Sequence, residues 1–176
     1  MSPLPFSHPL RVSQMNPRQP NRIDLSPDNA ARARIAAELD LTAPPQARLT
    51  GTITAAPNDA WLLEGRLTAR VQQACVVTLG PVQTDIDEPV RRLYSPYAAT
   101  PEGDEVEMPD DETEPLGPVI DTGAVLVEAL ALALPPYPRC KGAELPDAAL
   151  DPDDEGGEGL RRPFQGLADL LGRKDS

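Results

Sequence analysis

The tripeptide Asp121-Thr122-Gly123 consists of residues whose types and order suggest a catalytic site. Asp-Thr-Gly, here after Val119 and Ile120, is the loop signature of aspartic proteases, in which two such loops bring together two carboxylates that share a proton. The chain holds one copy, so a catalytic Asp121 requires a homodimer. The apolar run that follows favours a helix cap instead, with Asp121 accepting main-chain hydrogen bonds. We therefore predict no catalytic residue and keep a dimeric aspartic hydrolase as an alternative.

Cys75, Cys140 and His8 are the only cysteines and the only histidine of the chain. A structural zinc site needs four ligands, usually cysteine or histidine, and these three residues do not supply them. Two cysteines are also too few for a disulfide scaffold. A catalytic Ser-His-Asp or Cys-His arrangement would depend on His8 alone. We therefore predict no enzyme, no metal and no cofactor, and interpret Cys75 as a small core residue on a strand.

Alternating apolar and polar residues predict the central hairpin of a sheet. Residues 47–55 and 61–72 each show the period-two pattern of a half-buried strand. Pro57-Asn58-Asp59 between them favours a turn, so the two runs predict a β-hairpin. Further strands are predicted at residues 5–12 (or an extended arm), 21–25, 75–79 and 84–94, with a turn near Gly80-Pro81.

Two segments show helix signals. Ser26 is predicted to cap a helix that begins at Pro27, Asp28 favours the positive end of this helix, and the helix is predicted to extend to about residue 39. A second helix is predicted from a cap at Asp121 or Thr122 to residue 134. This second helix is apolar nearly all round, so we expect it to be buried against the sheet.

These elements predict an α+β fold, with a curved antiparallel sheet or partial β-barrel packed on one buried helix. The helix face of Val125, Leu126, Leu130 and Leu134 is expected to contact the sheet face of Leu49, Ile53, Leu63, Leu67 and Val71. Residues 1–140 are predicted to form a single domain with an acidic loop at 99–117. Residues 141–176 are predicted to be a flexible acidic tail that ends in a short amphipathic helix.

Negative charge is concentrated in two tracts. The net charge is −12, and residues 102–114 hold eight acids while residues 151–158 hold five, with no base in either. Such tracts repel themselves, so we expect them to be disordered. They argue against a broad phosphate-binding surface, whose affinity would come from Lys and Arg, and favour a basic protein partner. The interpretation that the tracts only aid solubility stays open.

Four segments carry a family resemblance: PFSHPLRV at 5–12, QQACVVTLGPV at 72–82, VIDTGAVLVEALALALPPYPR at 119–139 and RRPFQGLADLLGRK at 161–174. In this order and spacing they resemble the YceD family, the large ribosomal RNA subunit accumulation proteins, in its alphaproteobacterial form. The matching motif positions are Cys75, Thr78, Asp121, Leu130 and Pro135. Many members carry Cys-x-x-Cys at the central motif, and here Thr78 stands at the place of the second cysteine.

The resemblance implies a non-enzymatic role in the accumulation of large-subunit ribosomal RNA, hence in ribosome biogenesis. We predict a cytoplasmic protein that contacts no membrane and binds a basic large-subunit ribosomal protein or a pre-ribosomal particle. The residues predicted to make this contact are Glu102, Asp104, Glu105, Glu107, Asp110, Asp111, Glu112, Arg139 and Lys141. The alternative is direct binding of ribosomal RNA, and its candidate residues are Arg66, Arg70, Arg91 and Arg92.

Overall fold

The structure is a computed structural model that describes residues 4–98 and 113–143. The strands are β1 (Pro9–Arg11), β2 (Asn21–Leu25), β3 (Gln46–Ala56), β4 (Ala60–Ala74), β5 (Pro81–Ser95), β6 (Thr113–Pro115) and β7 (Val119–Asp121). The helices are α1 (Asn29–Glu38) and α2 (Thr122–Ala133), and a 3-10 turn covers Val12–Gln14. This mixture confirms the predicted α+β class.

The main sheet has five strands in the order β2-β3-β4-β5-β6. Neighbours from β2 to β5 are antiparallel, and β6 lies parallel to β5. A second, two-stranded sheet pairs β1 with β7 in antiparallel fashion. The five-stranded sheet begins at β2 and ends at β6 without closing on itself, so it forms an open sheet and no complete barrel.

The hairpin of β3 and β4 forms the centre of this sheet, as the alternating pattern predicted. Leu49 pairs with Leu67 and Ile53 with Leu63, and all four side chains are fully buried. The turn at residues 57–59 holds Asn58 and Asp59 at positive φ, 62° and 55°. Asn and Asp are the residues besides glycine that enter this region most readily.

Helix α1 begins two residues later than the sequence signals indicated. Asp28 is the N-cap, and its side chain accepts a hydrogen bond from the N–H of Ala31 at 2.7 Å. Ser26 was predicted as the cap, but its hydroxyl lies 3.5 Å from the carbonyl of Ala47 on β3. Its packing against β3 therefore leaves the capping position to Asp28.

Helix α2 contributes one face to the core. Val125, Leu126 and Leu130 are buried in one cluster with the apolar face of the sheet, which confirms the predicted contact. Leu134 is only partly buried, and Leu132 is 74% exposed. The prediction that α2 is buried against the sheet is confirmed for this face. The opposite face, which carries Leu132, is exposed because the sheet covers a single face of the helix.

Two predictions between the strands also fail. Residues 75–79 form a turn instead of a strand, and β5 begins at Pro81. The turn is closed by a hydrogen bond from the N–H of Leu79 to the carbonyl of Cys75 at 2.9 Å. Strand β6 lies inside the predicted loop 99–117, where a short parallel pairing with β5 orders residues 113–115.

The predicted acidic loop residues 102–112 and the predicted tail and helix beyond residue 143 lie outside the described residues. In the two described ranges, no helix is long and apolar enough to cross a membrane.

Candidate functional site

The sulfur of Cys75 is the acceptor that joins two loops at one end of the sheet. Cys75 is fully buried, and its Sγ accepts hydrogen bonds from the main-chain N–H groups of Val77 and Thr78 at 3.4 Å. A third N–H, from Cys140 in the segment after α2, reaches the same sulfur at 3.3 Å. The core position predicted for Cys75 is confirmed, and its place on a strand was wrong.

Main-chain hydrogen bonds hold this turn between β4 and β5. The N–H of Cys75 donates to the carbonyl of Gly80 at 2.7 Å, and the N–H of Val76 donates to the carbonyl of Pro138 at 2.9 Å. Because Pro138 and Cys140 both follow α2, these contacts fix the exit of the helix to the turn. We call residues 75–80 and 135–141 together the loop tip.

Hydrogen bonding makes Cys75 an acidic thiol. The hydroxyl of Thr78 and the N–H of Cys140 lower the pKa of Cys75 to about 6, with smaller effects from the N–H groups of Thr78 and Val77, and burial opposes them. This lowered pKa favours the thiolate relative to an ordinary cysteine. The Thr78 hydroxyl also lies 3.6 Å from Cys140 Sγ. Thr78, at the family's second cysteine position, thus borders both sulfurs.

The loop tip exposes apolar and cationic side chains. Val76 is 49% exposed, Leu79 is 80% exposed and Tyr137 is 75% exposed. The predicted contact residues Arg139 and Lys141 are exposed here too, and neither forms an ion pair with another residue of the described ranges. The structure thus brings both predicted cations together with Cys75 and Thr78.

The remaining family-motif positions have structural roles. Leu130 is fully buried in the core on α2. Pro135 follows the end of α2, and its carbonyl accepts a hydrogen bond from the side-chain amide of Gln73 on β4 at 3.3 Å. This contact is a second attachment between the segment after the helix and the sheet.

Asp121 is the N-cap of α2, and it also holds the N-terminal arm. Its Oδ1 accepts from the N–H groups of Gly123 at 2.9 Å and Ala124 at 3.1 Å inside the helix. The same oxygen accepts from the N–H of His8 at 2.8 Å, and Oδ2 accepts from the Ser7 hydroxyl at 2.5 Å. Both carboxylate oxygens are therefore used, which contradicts the alternative of an aspartic dyad.

Thr122 and Gly123 complete this attachment. Thr122 is fully buried, and its hydroxyl donates to the carbonyl of His8 at 2.9 Å. A Cβ on Gly123 would lie 2.6 Å from the main-chain nitrogen of His8 and 2.7 Å from the carbonyl carbon of Ser7. Only glycine allows the arm to approach so closely. Asp-Thr-Gly therefore binds the arm to the start of α2.

The arginines proposed for RNA binding are all paired with acids. The pairs are Arg66 with Asp87, Arg70 with Asp85 at 2.6 Å, Arg91 with Glu64 at 3.8 Å, and Arg92 with Glu114 and Glu128 at 3.1 Å each. Tyr94, the aromatic residue that follows Arg91 and Arg92 on β5, is 6% exposed and so offers little surface for stacking on a base. The sheet thus offers alternating charges where phosphate binding would need a cationic surface.

Charge is distributed unevenly along the chain. The described residues hold twelve Lys and Arg and twelve Asp and Glu, so the net charge of −12 resides in the other residues. The acidic residues 102–112 lie in the segment between β5 and β6. The N–H of Leu116, directly after β6, donates to the carbonyl of Ser95 at the end of β5. The loop tip lies at the opposite end of β5, about 45 Å along the strand at ~3.3 Å per residue.

Comparison with known proteins places this chain in a family. Residues 63–171 match the family model described as large ribosomal RNA subunit accumulation protein YceD, which covers more than half of the chain. The chain belongs to the YceD family. No curated protein and no solved structure matches it. The match includes Cys75, Thr78, Asp121 and the whole of α2, so the loop tip and the cap of the helix both lie in the YceD region.

YceD membership confirms the resemblance seen in the sequence and points to a role in the accumulation of large-subunit ribosomal RNA. The YceD description is that of an accumulation factor and names no reaction. Sequence reasoning missed the exposed Leu79 and Tyr137 and the acceptor role of Cys75. A signal for the turn was present, because Gly80-Pro81 directly follows the cysteine segment.

Proposed function

We propose that this chain is a non-enzymatic factor of large-subunit ribosome assembly that binds a basic ribosomal protein or a pre-ribosomal particle. The observation that supports the proposal is the charge balance of the described residues, whose acids equal their bases. The whole net negative charge then belongs to residues outside the described ranges. Ribosomal proteins that bind RNA are cationic, and charge of the opposite sign steers their encounter.

The primary contact in this proposal is the acidic stretch at one end of β5. Its residues are Glu102, Asp104, Glu105, Glu107, Asp110, Asp111 and Glu112. Arg139 and Lys141 at the loop tip provide a second contact of opposite charge at the other end of the strand. A protein with these two ends can bind a cationic protein while its tip contacts an anionic surface of the same particle.

The proposal is tested by neutralising five acids at a time. One variant replaces Glu102, Asp104, Glu105, Glu107 and Asp110 by their amides, and the matched variant replaces Asp151, Asp153, Asp154, Glu155 and Glu158 by theirs. Each tagged full-length chain is purified from its own cells at about 50 mM and about 300 mM salt, because exposed charges are screened over these concentrations. Large-subunit and small-subunit components are then quantified.

We expect the wild-type chain to retain large-subunit components at low salt and to lose most of them at high salt. The first variant should retain about tenfold less at low salt, and the matched variant should resemble the wild type. An equal loss in both variants would contradict the assigned stretch. Retention that neither variant nor salt changes would refute the electrostatic mechanism, and retention of naked ribosomal RNA alone would favour direct RNA binding.

A further inference from the structure

Cys75 and Cys140 are placed where their sulfurs can meet. The main-chain nitrogen of Cys140 lies 3.3 Å from Cys75 Sγ. Since a nitrogen and its Cα are about 1.46 Å apart, the Cα of Cys140 lies within about 5 Å of that sulfur. The Thr78 hydroxyl lies 3.6 Å from Cys140 Sγ, and the main-chain N–H of the same residue donates to Cys75 Sγ at 3.4 Å. Both thiols are free in the structure.

The two cysteines differ in their exposure to solvent, which determines the one that reacts first. Cys75 is fully buried, whereas Cys140 is partly exposed at the surface of the loop tip. A small thiol-reactive molecule in solution therefore reaches Cys140 first. Cys75 lies beneath the surface, where its sulfur accepts hydrogen bonds from main-chain N–H groups, an arrangement that stabilises a thiolate.

We propose that Cys75 and Cys140 form a reversible disulfide by exchange with a small-molecule disulfide such as oxidised glutathione. The proposal does not rest on the partner suggested above. It assigns to the loop tip a thiol–disulfide site that links the turn after β4 covalently to the segment after α2.

The exchange proceeds in two displacements. The Cys140 thiolate attacks one sulfur of the small disulfide, forms a mixed disulfide and releases one small thiolate. The Cys75 thiolate then attacks Cys140 Sγ, forms the internal disulfide and releases the second small thiolate. The two protein thiols are oxidised by two electrons in total, and the small disulfide is reduced to two thiols.

Disulfide formation changes the bonding of the loop tip. A disulfide sulfur is a weaker acceptor than a thiolate, so the three N–H contacts of Cys75 weaken while a covalent bond replaces them. The hydrogen bond from Val76 to Pro138 already holds the two segments together. The main chain therefore needs little movement, and reduction by a small thiol restores the original contacts.

The test incubates the full-length chain with oxidised glutathione and follows its intact mass after rapid alkylation. We expect the wild type to end as a monomer that has lost two hydrogen atoms and takes up no alkylating reagent. Cys75→Ser should stop at a glutathione adduct on Cys140, and Cys140→Ser should react little. Thr78→Val should form the adduct at the normal rate and close the internal disulfide about tenfold more slowly.

A persistent glutathione adduct on wild-type Cys140 would overturn the proposal, as would disulfide-linked dimers in place of the monomeric product. Should Cys75→Ser fail to fold, the wild-type product mass and Cys140→Ser still decide the outcome, because Cys140 lies outside the core. Thr78→Val that closes as fast as the wild type would remove the role assigned to its hydroxyl.

Discussion

Asp121 and Cys75 each stabilise the fold by accepting several hydrogen bonds at one side chain. Asp121 receives three main-chain N–H groups and one hydroxyl, and Cys75 receives three main-chain N–H groups. In both cases at least one donor comes from a distant segment, the N-terminal arm for Asp121 and the segment after α2 for Cys75. A single acceptor therefore fixes tertiary structure at each point.

The first prediction concerns the contribution of Asp121 to stability. Burial raises the pKa of Asp121, but the hydrogen bonds from Ser7, His8, Ala124 and Gly123 outweigh it and lower the pKa below its ordinary value of 3.8. A carboxylate whose folded pKa is lowered stabilises the protein above its unfolded pKa, and this stability is lost as pH falls through the folded pKa. Asp121→Ala should therefore lower the free energy of unfolding by about 2 kcal/mol at neutral pH.

Urea unfolding at several pH values measures this effect, and the difference from the wild type should shrink at pH values below about 4. Asp28→Ala is the control, because Asp28 caps α1 by accepting from Ala31 alone. It should cost about 1 kcal/mol. A loss for Asp121→Ala that is no larger than the control, or that is independent of pH, would contradict the assigned hydrogen bonds.

The second prediction concerns the space at Gly123. Gly123→Ala places a Cβ within 2.6 Å of the His8 nitrogen, so the arm must move away from α2. We expect a loss of about 1–3 kcal/mol in unfolding free energy and faster hydrogen exchange at His8. Gly117→Ala is the matched control, since its Cβ would meet only the Val119 carbonyl at 3.8 Å. Similar stability of the two variants would show that the arm is not held there.

At the scale of elements, Arg92 connects three parts of the fold. Its side chain is 17% exposed on β5 and forms ion pairs with Glu114 on β6 and Glu128 on α2. Burial and the charge of Glu128 raise the pKa of Glu114, and Arg92 lowers it. The three-residue strand β6 thus depends on a cation that compensates two carboxylates.

The third prediction is that Arg92→Met lowers the free energy of unfolding by about 1–3 kcal/mol, because the partly buried Glu114 and the exposed Glu128 both lose their cationic partner. The loss should be larger at pH 7 than at about pH 4. Without Arg92 the folded pKa of Glu114 rises further, so ionising this carboxyl destabilises the variant more than the wild type. Arg48→Met is the control. Its pair with Asp24 is exposed, at 57% and 59%, so the expected loss is below about 1 kcal/mol. Equal losses in thermal or urea unfolding would contradict the role of Arg92.

The sequence pattern of helix α2 predicts some features of the helix and not others. Its bounds and its cap were predictable, because Asp121 precedes an apolar run that ends at two prolines. The exposure of its far side at Leu132 was not, since a sequence that is apolar on all sides is compatible with one covered face or with two. The number of layers around the helix decides between them, and that is a property of the tertiary structure.

At the scale of the whole molecule, the described residues carry no net charge, and the excess of acids lies in the rest of the chain. The described residues hold equal numbers of acids and bases, so the net charge of −12 belongs to the other residues of the chain. Affinity for a cationic partner should then follow the acidic stretch and its salt dependence, as the neutralisation experiment measures. The loop tip and this stretch leave β5 at opposite ends.

The sequence by itself determined the two helices, strands β1 to β5 with their central hairpin, the family and the position of the acidic tracts. These follow from period-two alternation, capping residues and composition, which act over a few neighbouring residues. It also identified Asp121 as a cap, because the apolar run begins immediately after it.

Only the tertiary structure decided that Cys75 lies in a turn beside Cys140, that the arginines of the sheet are paired, and that Asp121 holds the N-terminal arm. Each of these depends on residues far apart in the chain, 65 positions for Cys75 and Cys140 and 113 for Asp121 and His8. A hydrogen bond or ion pair over such separations leaves no periodic trace in the sequence, because it is fixed by sheet register and by the path of the chain.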